Sequence, residues 1–399
     1  MDLTAFGKSS PGILVPISGT APSGKAWEHR AFLPDDLPAI SPELSGATYR
    51  CVAETRARLA ALDSTALHLA DSPLFRYPTL RREAQSTSAL EGTYAPLTAV
   101  LEADEDSPAS LELTEILNYV RMAERAFAAM AAGSSMSLDL LTELQAILMR
   151  GTHMESVSGR VRDAQVVIGL RSGVPMSAPA IETARFVPAP PGPELEQRLA
   201  SLATWMSTDH TDEIDPIVAA AMAHYQFEAL HPFRDGNGRL GRLLIVLHLV
   251  SQGVLTEPTL TVSPWFEERR TDYYDRLMAV STKGDWDAYI AFFARGIAAA
   301  AELTQRQMIA LRAVHENLRS TVRGSSLRAE TAGTLVDLAM ARPSFSVRQA
   351  QQALGVSYQR ANQVVRQLVR LGVLDVVDPK AYKRRFFAPA VVDVLTGRV

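Results

Sequence analysis

The 399-residue sequence has little of three features that would place it in common classes of protein. It contains a single cysteine, Cys51, so no intramolecular disulfide is possible and a reducing compartment is expected. No apolar run approaches the roughly 20 residues of a membrane-spanning helix, and the first residues lack the basic and apolar regions of a signal peptide. The net charge of −4 argues against a protein that binds nucleic acid over most of its surface. We therefore predict a cytoplasmic protein without membrane contact.

The length of the chain exceeds what one ordinary hydrophobic core accommodates. Apolar residues recur mostly at helical spacing, which predicts a mainly α protein. Gly, Ser and Pro in residues 1–24 predict that the chain begins with an irregular arm. The predicted segments are an N-terminal arm and helical region over 1–108, a core over 109–300, a linker helix and hinge over 301–327, and a small domain over 328–399.

Twelve consecutive residues, His231 to Arg242, combine residue types that suit the binding of a polyphosphate. Their sequence is HPFRDGNGRLGR. Upstream, an Asp-Pro start and apolar residues at helical spacing predict a helix from Pro216 that delivers His231 at its end. Downstream, an apolar run predicts a buried helix beginning near Gly238. The loop between them feeds a helix N-terminus, where unpaired N–H groups and the positive dipole end attract anions.

Four side chains of this run have a chemistry that suits the handling of a polyphosphate. His231 has a reference pKa near neutrality and can accept a proton from an attacking hydroxyl. Asp235 suits Mg²⁺, and Arg239 and Arg242 share one helix face from which they can reach two phosphates. Taken separately, a loop of this kind is most often only a turn, and an arginine pair on a helix is most often a solvated face. Their occurrence together favours a phosphate site. The loop lacks the Lys-Ser/Thr pair of a Walker A sequence.

The run matches at every specified position the signature of the Fic-domain family, HPFx(D/E)GNGRxxR. Residues 162–169 and 184–191 resemble the flap hairpin of that family and the proline segment after it. The residues themselves predict a strand over 165–170, a turn at Ser172-Gly173 and a return strand over 174–186. Tyr273 lies in a segment that resembles the helices closing the family's nucleotide pocket. The resemblance covers most of residues 30–300 and implies a Fic-type helical core with a small β-hairpin flap.

The resemblance implies transfer of AMP from ATP to a Ser, Thr or Tyr hydroxyl of a protein, with His231 as general base and Asp235 as the Mg²⁺ ligand. Gly238 favours nucleotidyl transfer, because relatives that phosphorylate their target carry lysine there. The target protein would present its hydroxyl along the flap through backbone pairing, and the alternative is a plain surface hairpin. The nucleotide-binding residues that the resemblance implies are Gly236, Asn237, Gly238, Arg239, Arg242, Tyr273, Ile168 and Gly169. For Tyr273, a place in the core is the equal alternative.

A second element lies upstream, where residues 87–92 (TSALEG) match the inhibitory motif of the family, (S/T)xxxE(G/N). The resemblance implies that Glu91 pairs with Arg242, denies that arginine to the γ-phosphate and makes the protein self-inhibited. The common alternative is that Glu91 is a solvated acid at a helix end. A further alternative is that the same site removes AMP from a modified protein, with Glu91 positioning water.

The C-terminal segment is basic although the chain is acidic, with nine Lys and Arg against two Asp between residues 342 and 388. Capping serines, apolar spacing and a turn predict a winged helix-turn-helix. Residues 358–360 at the start of its second helix would face DNA bases, and Lys383, Arg384 and Arg385 in the wing would meet phosphate. DNA is therefore an alternative partner, and a DNA-binding regulator with mainly self-directed catalysis is an alternative function. Binding of a protein or packing on the catalytic core is the simpler use of this domain, and the sequence leaves homo-oligomerisation open.

Overall fold

The computed structural model describes residues 1–20, 24, 26–68, 72–104, 107–171, 179–325, 327, 329–380 and 384–397. Helices dominate these residues and the sheets are small, which confirms the mainly α prediction. None of the helices in the described residues is long and apolar enough to cross a membrane. The described residues form two compact units.

The strands pair in antiparallel order wherever they are described; two have nine residues each and the others have two or three. They are β1 (Gly12–Thr20), β2 (Ala26–Pro34), β3 (Ile168–Leu170), β4 (Ala184–Phe186), β5 (Ser344–Ser346), β6 (Asp375–Val376) and β7 (Arg385–Phe387). The α-helices are α1 (Gly46–His68), α2 (Ser72–Leu90), α3 (Leu97–Glu102), α4 (Leu111–Ala131), α5 (Leu138–Met149), α6 (Ala180–Thr183), α7 (Pro193–Ser207), α8 (Pro216–Leu230), α9 (Asn237–Ser251), α10 (Ser263–Glu268), α11 (Arg270–Lys283), α12 (Trp286–Arg323), α13 (Ala329–Ala341), α14 (Val347–Leu354), α15 (Tyr358–Arg370) and α16 (Pro389–Thr396).

The first unit comprises Met1–Ala57, Arg121–Leu255 and Trp265–Ala298, and α8 and α9 lie at its centre. Asp215 caps α8 by accepting a hydrogen bond from the Ile217 N–H at 2.8 Å, as the Asp-Pro start predicts. The two helices pack closely because Gly241 has no side chain: a Cβ there would lie 3.1 Å from a ring carbon of Phe227. Nearly every residue of both helices is buried, which confirms the predicted pair of apolar helices.

The start of the chain differs from the prediction. Instead of an irregular arm over residues 1–24, β1 pairs with β2 along its whole length. Val15 and Ile17 alternate with Pro16 and Ser18, and the Pro, Ser and neighbouring Gly residues obscure this strand pattern in the sequence. The Phe32 N–H of β2 donates to the Val187 carbonyl at 2.9 Å, so this hairpin joins the apolar cluster beside β4.

The predicted flap is present as the antiparallel pair of β3 and β4, in which Ile168 pairs with Phe186. The strand predicted from residue 165 is shorter and begins at Ile168. Residues 174–178 of the return strand predicted over 174–186 lie outside the described residues. In the rest of that range only the last three residues form a strand, because Pro179 opens the single helical turn α6. The predicted turn at Ser172 lies outside the described residues.

The second unit comprises Arg58–Val120, Thr256–Pro264 and Ala299–Val399. Within it α2 packs against α13. The buried guanidinium of Arg81, on α2, donates to the carbonyls of Val100, Leu101 and Ala103 at 2.6, 3.0 and 3.3 Å, at the end of α3. The carbonyls at a helix end have no intrahelical donor, so this cation stabilises α3.

The end of the second unit has the predicted order of helix, turn, helix and hairpin. Ser346 and Ser357 cap α14 and α15, and Gly355 makes the turn between them in the left-handed conformation (φ 62°). The sheet has the order β5-β7-β6. The predicted wing contact of Arg385 is wrong: its Nε donates to Ser344 Oγ at 2.8 Å and its Nη1 lies 3.1 Å from Asp104 Oδ1. Lys383 lies outside the described residues, and Arg384 is exposed.

Candidate nucleotide site

The end of α8 places His231 beside the loop that precedes α9. His231 directly follows Leu230 and adopts the left-handed conformation, with φ 48° and ψ 59°. It is the only non-glycine residue at positive φ among those that the structure describes. This backbone costs an L residue on the order of 1–2 kcal/mol, and it persists where surrounding contacts impose it. The half-buried histidine therefore occupies a turn that the protein stabilises by other contacts.

The buried side chain of Arg162 contacts this turn. Its backbone N–H donates to the Pro232 carbonyl at 2.9 Å, and its Nε donates to the His231 carbonyl at 2.8 Å. Its terminal nitrogens donate to the carbonyls of Ala164 and Ala189. Burial lowers the pKa of Arg162 to about 10, so the group stays cationic at neutral pH. A cation at the carboxyl end of α8 is favoured by the helix dipole.

The loop before α9 has a conformation that requires glycine at residue 236. Gly236 has φ +83°, and a Cβ there would lie 2.7 Å from Leu148 Cδ2 and 2.9 Å from Met149 Cε. Both of these side chains belong to α5. Because α9 begins at Asn237, the N–H of Gly238 is among the first of the helix, which lack intrahelical acceptors. The loop therefore leads into an N-terminus that can bind an anion.

Asn237 fixes the shape of this loop with its side chain. Its Oδ1 accepts from the Phe233 N–H at 2.8 Å, and its Nδ2 donates to the Phe233 carbonyl at 2.9 Å. Both Asn237 and the Phe233 ring are buried. The side-chain amide thus acts as a local substitute for backbone pairing. The contact of Asn237 with a phosphate stays a prediction, with the backbone N–H as one available donor.

Arg239 and Arg242 are 2% and 1% exposed, which excludes the alternative that they form a solvated helix face. Arg239 Nη2 lies 3.1 Å from Asp235 Oδ1, and that oxygen also accepts from the Gly236 N–H at 2.5 Å. Cations at a helix N-terminus add to the positive end of the dipole. This end of α9 therefore has a positive potential that suits a polyphosphate.

Tyr273 lies in the core of the first unit. It is 1% exposed, and its hydroxyl is hydrogen-bonded to His224 Nε2 at 2.7 Å. The other ring nitrogen of His224 is 3.0 Å from the Gly241 carbonyl. Burial, helped by the nearby charge of Arg242, lowers the pKa of His224 to about 3, so the imidazole is neutral. We therefore leave Tyr273 out of the proposed nucleotide contacts and assign it to packing beneath α9.

Two predicted parts of the site lie apart from the glycine loop in the chain. Ile168 and Gly169 belong to β3 of the flap, where Gly169 is exposed, and their contact with a nucleotide stays a prediction. Glu91 directly follows the end of α2 and is exposed. It belongs to the second compact unit and Arg242 to the first, so their pairing also stays a prediction.

Asp235 is the side chain at this site that suits a magnesium ion. Its side chain is 40% exposed, and the Gln145 side chain donates to its backbone carbonyl at 3.1 Å. Mg²⁺ is usually bound through one or two carboxylates, with phosphate oxygens and water completing the shell. Among the described residues no group of three or more His, Cys, Asp and Glu side chains could hold a metal. One anchored carboxylate beside a phosphate cradle fits the way this ion is bound with a nucleotide.

Sequence reasoning missed two residues of the site, Arg162 and Gln145. Gln145 is buried on α5, where its Oε1 accepts from the Gly159 N–H at 2.6 Å and its Nε2 reaches the Asp235 carbonyl. The available signal was one amide among the leucines of an apolar helix face, because buried polar groups need hydrogen-bond partners. For Arg162 the sequence offers no comparable signal, since its partners are main-chain carbonyls far along the chain.

Comparison with known proteins finds matches that include the glycine loop and its two flanking helices. The model of the Fic/DOC family matches residues 135–249, and the model of the Fic/DOC family N-terminal region matches residues 49–128. The protein adenylyltransferase fic-1 of Caenorhabditis elegans is 34% identical over 138 residues, which are 35% of this chain and 23% of that protein. The protein adenylyltransferase Fic of Drosophila melanogaster is 32% identical over 106 residues, which are 26% of this chain and 20% of that protein. The matched region thus spans less than a quarter of the length of these curated relatives.

A solved structure supports the fold. The crystal structure of a Fic family protein from Desulfovibrio desulfuricans G20 is 23% identical to this chain and superposes with a TM-score of 0.50. The match covers 88% of this chain and 98% of that one. The likeness therefore extends well beyond the glycine loop and its two flanking helices.

Proposed function

This chain is a member of the Fic/DOC family through residues 49–128 and 135–249, and from that premise we propose that it transfers AMP from ATP to a protein hydroxyl, on a target or on itself. The observation that carries the proposal is the pair of buried arginines at the positive end of α9, one loop away from His231. The curated relatives named protein adenylyltransferase support the same reaction.

In the proposed reaction the hydroxyl oxygen attacks the α-phosphorus of ATP, a new O–P bond forms, and the bond to the pyrophosphate oxygen breaks. His231 takes the proton of the attacking hydroxyl. The backbone N–H groups that follow Gly236 hold the α-phosphate, while Arg239 and Arg242 neutralise charge on the departing pyrophosphate. A magnesium ion on Asp235 would supply further neutralisation of the phosphates when bound. The chain thus contributes mainly positioning and charge.

The flap supplies the proposed docking site for the target. In the described residues β3 pairs with β4 alone, and Leu170 at its end is 68% exposed. An extended segment can add to such an edge through backbone hydrogen bonds, which align a hydroxyl without strict sequence demands. The target is therefore a protein segment that can adopt an extended conformation.

The position of the label in ATP tests the reaction. We expect the Glu91→Gly protein, incubated with a cell lysate, to add label to protein from α-labelled ATP above the level of a Glu91→Gly, His231→Ala control. It should add no γ-label above that control, which accounts for the kinases of the lysate. Mass spectrometry of labelled peptides should find AMP on Ser, Thr or Tyr. γ-Label above the control would identify phosphorylation instead, and no α-label above the control would contradict the proposal.

A second candidate function, DNA binding, is favoured by the charge of the C-terminal helices. Between Arg342 and Leu374 the sequence has five arginines and no acidic residue. On α15 the side chains of Tyr358, Arg360 and Arg366 are exposed while the apolar face is buried. A helix with this exposed face, held by a preceding helix and turn, is typical of major-groove recognition.

Charge reversal on this helix tests DNA binding in the full chain. We expect duplex DNA to bind with a steep salt dependence, and Arg360→Glu with Arg366→Glu to weaken binding at least about tenfold and to flatten that dependence. Arg312→Glu is the matched control, since Arg312 is an exposed arginine of α12 in the same unit. No retention of DNA at low salt, or equal loss in the control, would refute this candidate.

A further inference from the structure

We propose that Arg162 is the positioning residue of the site: it holds the left-handed turn that directs His231 and ties that turn to both ends of the flap. This inference rests on the proposed role of His231 in AMP transfer. It concerns a residue whose side chain faces main-chain carbonyls, so its role is to place another group.

The hydrogen bonds of the guanidinium connect three segments. Its Nε and Nη2 donate to the carbonyls of His231 and Leu230 at 2.8 and 3.4 Å, at the end of α8. Its Nη1 donates to Ala164, which precedes β3, at 3.2 Å, and its Nη2 donates to Ala189, which follows β4. One buried cation thus joins the proposed base to the chain on either side of the proposed docking hairpin.

A lysine could not make this set of contacts. Guanidinium is planar and carries five N–H donors in a fixed fork, whereas an ammonium is a compact group on one atom. The four carbonyls that the Arg162 guanidinium contacts lie on three separate segments of the chain. Lysine at this position would keep the charge and lose most of the geometry, which makes Arg162→Lys an informative substitution.

The backbone of His231 gives the reason why such a contact matters for the reaction. Its left-handed φ of 48° sets the direction of the Cα–Cβ bond, and hence the region that the imidazole can reach. Arg162 anchors the carbonyl of the same residue and, through its own N–H, the carbonyl of the next. Without these bonds the turn can relax to a commoner conformation. A misplacement of about 1 Å can cost roughly 100-fold in rate.

The second unit offers a matched control in Arg81. This arginine is equally buried and its guanidinium also donates to main-chain carbonyls at a helix end, those of Val100, Leu101 and Ala103. Arg81→Lys removes the same kind of contact without touching the turn at His231. Effects common to both variants report loss of packing, and effects specific to Arg162 report positioning.

The experiment compares Arg162→Lys, Arg162→Gln and Arg81→Lys in the Glu91→Gly protein, with folding checked by thermal unfolding. Glutamine is included because it keeps a planar head with two donors if lysine prevents folding. We expect both Arg162 variants to lower kcat about 30- to 100-fold with ATP affinity changed less than about threefold, and Arg81→Lys to leave kcat unchanged. The pH dependence of kcat should also move in the Arg162 variants alone.

A measurement independent of activity separates this inference from the proposed function. In protein labelled at its histidine rings, the signal that disappears in His231→Ala belongs to His231. We expect that signal to shift or broaden in the Arg162 variants and to stay in place in Arg81→Lys. If it stays unchanged in a folded Arg162 variant, the positioning role is refuted even if transfer is impaired. If the Glu91→Gly parent transfers no AMP, the proposed function fails, while this signal still decides whether Arg162 positions His231.

Discussion

Replacing His231 by asparagine in the Glu91→Gly protein is expected to lower AMP incorporation by about 10²- to 10⁴-fold while the fold is retained. Asparagine is chosen because it tolerates the left-handed conformation better than other non-glycine residues. The turn after α8 should therefore keep its φ near 48°, and the change removes only the group that accepts a proton. Initial rates with α-labelled ATP, measured with saturating target, provide the test.

Two further variants make this result specific to the base. His231→Ala should lose activity equally but also lose stability, because alanine lacks the local hydrogen bonding that helps asparagine adopt this conformation. His153→Asn, at an exposed histidine of the same unit, should change neither rate nor stability. An asparagine variant that retained more than about a tenth of the parental rate would show that His231 is not the general base.

The elements around the site were predictable where local chemistry determines them. The Asp-Pro start of α8 is a cap that depends on adjacent residues, and the structure shows that cap. The apolar residues of α9 are continuous, so its burial followed from composition alone. In the same way, the serines before α14 and α15 and the glycine between them indicate the turn. Each of these signals lies within a few residues of the feature that it predicts.

Features that depend on distant contacts were not predictable. β1 exists because its backbone pairs with β2 and because its apolar side chains pack on a cluster that includes Val187, far along the chain. Arg385 appears from sequence to be one of a run of exposed bases, but the Ser344 and Asp104 oxygens that bind it become neighbours only after folding. Such contacts leave no periodic pattern around the residue itself.

The roles of motif residues divide in a similar way. Sequence analysis assigned Asn237 to the nucleotide, and in the structure its side chain forms two hydrogen bonds with the backbone of Phe233. The sequence left Tyr273 open between a nucleotide contact and a core residue, and its hydroxyl forms a buried pair with His224. A loop must be held in one conformation before it can bind an anion, and some of its polar groups serve that purpose.

Glu91→Gly is expected to raise the rate of AMP incorporation by about 10- to 100-fold over the unmodified protein. The proposed inhibition exchanges an Arg242–carboxylate pair for an Arg242–phosphate pair, and a charged hydrogen bond is worth about 1.5–3 kcal/mol, which corresponds to that range. Glu91 is accessible at the end of α2, where Gly92 takes the left-handed conformation (φ 96°) with open space around it. Parallel measurements of ATP affinity should show tighter binding in the variant.

The backbone effect of a new glycine is separated by two variants. Glu91→Ala removes the carboxylate and keeps the chain stiff, and Glu91→Gln keeps the shape and removes the charge, so both should release transfer if charge pairing causes the inhibition. If only the Glu91→Gly protein shows faster transfer, the effect comes from the backbone at the end of α2 instead.

The same proteins incubated with an AMP-modified target test the reverse reaction. Faster loss of AMP with the unmodified protein than with all three variants would mean that Glu91 positions water. Equal incorporation of AMP by all four proteins would show that Glu91 does not inhibit this site.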